Sequence, residues 1–220
     1  MSWLWGSSDK GEDKGVASPK SGGSNKSGGS TEMRSLTVSE TFPKMSPKEA
    51  FDIVFGKDLV IAYQESQGNK NVEVSDWKDV STDEDKAAGT ERLERTLKYT
   101  VPMNVPLPKM MADSMGMIDT IANSVETVTI KDGVYEVTAT CELTGPPMAN
   151  KVDVKPLFIV KQDPKEATTG LVECNISFSF NVWGLSSMVE ATMESGVRKG
   201  FEDLLKMAKT WATDGKPTKK

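Results

Sequence analysis

An α+β fold is predicted for this chain: an antiparallel sheet of about seven strands curved around one long C-terminal helix. Three observations predict it. Strand-like segments follow one another through most of the middle of the chain, two short helical patterns interrupt them directly after the first strand, and the last apolar pattern has a helical period with nothing strand-like after it.

The 220 residues suit a single domain once the ends are set aside. Residues 1–33 are expected to be a disordered tail, because from 6 to 31 the chain is almost wholly Gly, Ser, Lys and Asp, with no aromatic residue and no apolar period to offset the entropy of ordering. At its start, Trp3, Leu4 and Trp5 form an aromatic cluster suited to a membrane interface or a partner's groove, and they are candidate membrane contacts. The folded domain is expected over 34–213, with 214–220 as a second tail.

The first strand alternates Leu36, Val38 and Glu40 against Thr37 and Ser39 and ends at Phe42-Pro43. Ser46 then reads as an N-cap, Pro47 as the first helical residue and Glu49 as the partner of a capping box, launching Ala50, Phe51, Val54 and Phe55; Gly56 stops the helix. Asp58 is expected to cap a second short helix through Leu59, Val60, Ile61 and Tyr63. Strands follow over 72–77, 91–101, 118–130, 134–143, 152–161 and 170–182, with a hairpin at Asp132-Gly133, while 79–94 up to its strand part reads as a solvated, carboxylate-rich loop. The strand over 170–182 alternates most cleanly, with Val172, Cys174, Ile176, Phe178, Phe180 and Val182 on one face. From Gly184 a long helix carries Leu185, Met188, Val189, Thr192, Met193, Gly196, Val197, Gly200, Phe201, Leu204, Leu205, Ala208 and Trp211 at helical spacing. This order of elements is the helix-grip arrangement, whose concave space is naturally a pocket.

Composition narrows the function. A formal net charge of -5 and pI near 5.0, with no basic stripe, argue against nucleic-acid binding. There is no histidine, which removes the commonest general base and zinc ligand; no catalytic residue, metal site or cofactor is expected. Cys141 and Cys174 lie in alternating apolar stretches without CxxC spacing and read as reduced structural thiols of a cytoplasmic protein. Neither a signal peptide nor a membrane span is expected.

Three stretches resemble VASt domains, relatives of the StAR-like lipid-transfer modules: 95–103 (Arg-Thr-Leu-Lys-Tyr-Thr-Val-Pro-Met) as an Arg-x-x-x-Tyr strand entering a proline loop, 147–154 as the family's Pro-containing hairpin, and 178–183 leading into a long helix with Gly196 and Gly200. Ala149 stands where the family hairpin has glycine, and Val152 where it has an aromatic residue. The resemblance implies a monomer that encloses one sterol or other apolar lipid between sheet, loop 102–111 and terminal helix, touches membranes transiently and catalyses nothing. The residues it places around that ligand are Arg95, Leu97, Tyr99, Pro102, Met103, Val105, Leu107, Met110, Met111, Cys141, Phe158, Phe178, Phe180, Met188, Thr192 and Gly196, with Met110 and Met111 also meeting the membrane.

Several of these carry physical arguments of their own. Arg95 is a charge on the apolar face of its strand, so it needs a carboxylate, water or a ligand's polar group; a structural ion pair and a ligand anchor both satisfy it. The loop 102–111 is apolar but holds three prolines, Pro102, Pro106 and Pro108, so it suits a cover whose methionines adapt to lipid shape, or ordinary packing. Gly196 and Gly200 mark a close approach to the helix by the sheet or by a flat ligand. A protein-interaction module with a filled cavity, and an enzyme on the same scaffold, remain as alternatives.

Overall fold

The computed structural model describes residues 33–102, 119–145, 152–180 and 187–215. Eight strands form one antiparallel sheet: β1 (Arg34–Pro43), β2 (Lys70–Val74), β3 (Lys78–Asp79), β4 (Glu91–Val101), β5 (Thr120–Lys131), β6 (Val134–Thr144), β7 (Val152–Gln162) and β8 (Thr169–Phe180). Their order is β1-β8-β7-β6-β5-β4-β2, with β3 also paired to β4. Among the described residues there are also four helices, α1 (Pro47–Val54), α2 (Lys57–Ser66), α3 (Asp83–Ala87) and α4 (Ser187–Asp214). This is the helix-grip fold, a curved antiparallel sheet with the terminal helix against its concave face.

Local chemistry explains the starts and turns. Ser46 accepts from the Glu49 amide at 3.3 Å and its own amide donates to the Glu49 carboxylate at 2.7 Å, closing the capping box that begins α1. Asp132 and Gly133 both hold positive φ, at 51° and 74°, as a tight β5–β6 turn of matching twist requires. Gly56, not Asp58, is the N-cap of α2; Asp58 sits in its first turn instead. The reason is space: a Cβ at Gly56 would lie 2.7 Å from the Asp52 carbonyl oxygen, so only glycine turns the chain from α1 into α2 there.

Two further expectations are corrected. The strand over 72–77 is broken into β2 and β3, which both lie along β4. Trp77, between them, turns inward onto Phe51, with ring centroids 5.9 Å apart. The stretch after Asp79 is not simply a loop: Thr82 and Asp85 make a second capping box and start α3, all of whose residues stay out of the core.

Strand alternation sets the core. Leu36 and Val38 of β1, Val137 of β6, Phe158 and Val160 of β7 and Val172, Cys174, Ile176 and Phe178 of β8 are buried together with Val197, Phe201, Leu205 and Ala208 of α4. Helix α1 fills one end with Phe51 and Val54. Along the sheet edge, Lys209 of α4 pairs with Glu40 at 2.7 Å and Arg34 with Glu194 at 3.5 Å, fastening helix to β1. Among the described residues, no helix is long and apolar enough to cross a membrane.

Candidate functional site

A cavity of about 130 Å³ lies between the sheet and the helices. Its floor follows from strand register. Arg95, Glu126 and Ala139 form one cross-strand row over β4, β5 and β6, and Leu97, Ser124 and Cys141 form the next. Since side chains alternate faces, all six are on the concave side. Val154, Pro156 and Phe158 of β7 make one wall, Val54, Phe55, Val60, Tyr63 and Gln64 of the α1–α2 segment make another, and Phe201 and Leu204 of α4 form the roof.

The sheet has a seam beside this space. β6 and β7 pair only from Tyr135–Val160 to Thr138–Leu157. Beyond Thr138 the two strands part, β6 continuing only with β5 and β7 only with β8. Pro156, which has no N–H to donate, stands one residue past the last pair. Ala139 and Cys141 on one lip and Val154 and Pro156 on the other border the cavity.

The polar groups of the site are mostly engaged. The Tyr63 hydroxyl donates to the Gly200 carbonyl at 2.7 Å, tying α2 to α4. Burial pushes the Tyr63 and Tyr99 hydroxyls well above their ordinary range, keeping both neutral. The Asn69 amide donates to Gln64 Oε1 at 2.6 Å, and Ser124 Oγ donates to the Thr140 carbonyl at 3.2 Å. Burial likewise raises the Cys141 thiol above 9.0, while Cys174 is wholly buried in the core beside the site.

Arg95 is 2% exposed and answers the charge on the apolar face with an ion pair, Nε donating to Glu126 Oε2 at 2.6 Å. Nη1 donates to the Phe55 carbonyl, and the guanidinium lies over Trp77 at 4.3 Å from the ring centre. Arg95 therefore braces β4, β5, the α1–α2 junction and the β2–β3 break, while its partner Glu126 borders the cavity.

Of the residues singled out from sequence, Leu97, Tyr99, Cys141 and Phe158 border the cavity. Phe178 is buried in the core behind it, Thr192 is exposed on α4, Gly196 is half-buried on that helix and Pro102 ends the β4 segment; none of the four reaches the lining. Met103, Val105, Leu107, Met110 and Met111, and Trp3, Leu4 and Trp5, lie outside the described residues, as do the side chains of Phe180 and Met188. The sequence reading missed the α1–α2 wall, Pro156 and Glu126. Glu126 carried a signal: two-residue alternation from Ala122 through Ser124 to Val128 puts it on the inner face opposite Arg95.

The VASt family, described as the VAD1 analog of StAR-related lipid transfer domain, matches residues 36–199. This chain belongs to the VASt family. Among curated proteins no sequence matches at a significant level. Solved structures resemble this VASt chain at low identity. TTHA0849 from Thermus thermophilus is 11% identical with TM-score 0.44, covering 84% of this chain and 100% of that one. An aromatase/cyclase from Streptomyces is 10% identical with TM-score 0.45, covering 85% and 100%. Norcoclaurine synthase from Thalictrum flavum is 10% identical with TM-score 0.43, covering 86% and 91%.

Proposed function

We propose that the domain over 34–213, flanked by the tails 1–33 and 214–220, binds one apolar lipid per chain, a sterol in particular, and carries or senses it as a monomer without transforming it. The observation that carries the reading is a largely apolar cavity, between sheet and grip helix, in a member of a lipid-transfer family. Leu97, Tyr99, Phe158, Phe201 and Leu204 supply apolar wall, and burial of a ligand's apolar surface there is favourable by about 25 cal/mol per Å².

Size adds a condition. About 130 Å³ is less than the roughly 300–1,000 Å³ of a typical small-molecule site, so a ligand as large and rigid as a sterol requires the walls to part. The seam between β6 and β7 is the weakest wall, because among the described residues no strand pairing crosses it beyond Thr138. Residues 102–111 remain the proposed cover, with Met110 and Met111, Trp3, Leu4 and Trp5 as membrane contacts of a cytoplasmic, peripherally bound protein. The small volume also favours a second reading, an interaction module whose interior is filled by its own side chains.

Titration with a fluorescent sterol decides between them, with saturation near one equivalent expected. Native mass spectrometry of freshly purified protein should show an apolar adduct. If neither sterols nor phospholipids bind at micromolar protein, the carrier reading fails and the filled module stands.

A further inference from the structure

We propose that the open edge of β6 beside the cavity is a docking surface for this chain's own N-terminal segment, Trp3-Leu4-Trp5, which adds to it as a short strand and seats an indole ring in the cavity. Such docking requires the cavity but no lipid.

The surface begins with main-chain groups. Beyond Thr138, among the described residues, β6 pairs with β5 alone and β7 with β8 alone. The side of β6 turned away from β5 therefore keeps N–H and C=O groups, on every second residue, without a strand partner, and such an edge is a template for a further strand. The facing edge of β7 is the poorer template, because Pro156 has no N–H to donate.

Side chains then select the occupant. An added strand presents alternate residues to one face, so in one register Trp3 and Trp5 both turn to the concave side, where Ala139 and Cys141 of β6 border the cavity. The cavity measures about 130 Å³, and an apolar cavity of about 150 Å³ is known to hold a benzene ring. One aromatic ring therefore enters without the walls parting, which a sterol does not. The second indole covers the lip at Val154 and Pro156, both apolar.

The segment is also tethered close by. Arg34 at the start of β1 lies opposite Phe178, and Phe178 opposite Val154 on the lip. Two strand spacings, roughly 10 Å, thus separate the root of the tail from the seam. Residues 6–32 between root and segment are rich in Gly and Ser, and a chain of that composition and length reaches on the order of 30 Å. Tethering of this kind gives an effective concentration on the order of millimolar, so an edge that holds the free peptide with a Kd of about 0.1 mM is filled roughly nine-tenths of the time.

The test follows alkylation of Cys141 by iodoacetamide in the lipid-free full-length chain and in full-length W3S/W5S, with the modified site located by peptide mass spectrometry. Cys141 should react about tenfold faster in the variant at the same pH, while Cys174, wholly buried in the core, stays unreactive in both. A synthetic peptide of residues 1–8, added at millimolar concentration, should return the variant's rate toward that of the wild type. Equal Cys141 rates in the two chains overturn the proposal and leave the indoles to a membrane or another protein. A peptide that gives the variant no protection also overturns it. So does equal acceleration of Cys141 and Cys174, which would mean that the tail stabilises the fold as a whole. Wild-type protection that falls on dilution overturns the intramolecular occupant and assigns the edge to the tail of a second copy. Sterol titration of the same two chains reports separately on the lipid reading, since these alkylation rates are measured without lipid.

Discussion

Among the described residues, two apolar clusters arise from the same alternation of side chains but sit at different ends of the sheet. The larger runs from β1, β8 and β7 through α1 to α4 and closes on an aromatic stack, Phe51 on Tyr135 at 4.8 Å and Phe55 edge-on to Phe158 at 5.2 Å. The smaller joins Val60, Val74, Leu97, Tyr99, Val101 and Ala122 at the β2–β4–β5 end. The cavity lies where the two meet: Val54, Phe55, Val154, Phe158 and Phe201 of the larger cluster and Val60, Leu97 and Tyr99 of the smaller line it, and the stretch where β6 and β7 part borders it through Ala139, Cys141, Val154 and Pro156. Phe42 and Val172 of the larger cluster lie outside that lining, in closed core.

Substitutions in the two clusters should therefore differ in kind. The largest effect is expected from Phe42→Ala in the closed cluster, where the ring is 1% exposed: a loss of about 3–5 kcal/mol in denaturant unfolding. Arg95→Leu should cost a similar ~3–5 kcal/mol, because it leaves the Glu126 carboxylate without its partner. A loss below about 1 kcal/mol would show that water replaces the guanidinium and that the brace is dispensable.

A matched enlargement sharpens the contrast. Val172→Phe, at a position with no exposure, should overpack the closed cluster and cost about 1–3 kcal/mol. Cys141→Phe adds similar bulk beside the cavity, so its unfolding midpoint should hold while lipid binding disappears. Equal destabilisation by both would mean that the seam end is as tightly packed as the rest.

Thiol chemistry reads the same difference without mutation. Burial holds the Cys141 thiol above 9.0, so alkylation should be slow near neutrality, speed up as pH rises and slow again when ligand occupies the cavity. Cys174 should react only on unfolding. Alkylation of Cys141 that ignores saturating ligand would place the ligand elsewhere.

The smallest effect belongs to neither cluster. Ser46→Ala removes the α1 cap and should cost about 1 kcal/mol. The Ser46 amide and hydroxyl hold the Glu49 carboxyl below its ordinary 4.5, so the stability this gives is present above that value and is lost as pH falls through the lower folded one. The difference between wild type and Ser46→Ala, followed by thermal unfolding, should narrow in acid.

What the sequence by itself determined was local and periodic. Alternation marked β4 at its observed limits and the buried face of β8, and the capping box at Ser46 and the Asp132-Gly133 turn needed only neighbours within a few residues. Alternation also put Leu97 and Tyr99 on the face of β4 that carries Arg95, and both line the cavity, as do Cys141 and Phe158, which the family resemblance had singled out. It could not say which inward residues face a partner and which face space: Phe158 and Phe178 have the same pattern, yet one borders the cavity and the other lies in solid core. That depends on which side chains each ring faces from strands and helices far away in sequence, and local patterns do not locate those partners. The same holds for Glu126 and Arg95. Each is legible alone as a charge on an apolar face, but only their register, one opposite the other, made a structural pair of them and put Glu126 on the cavity lining.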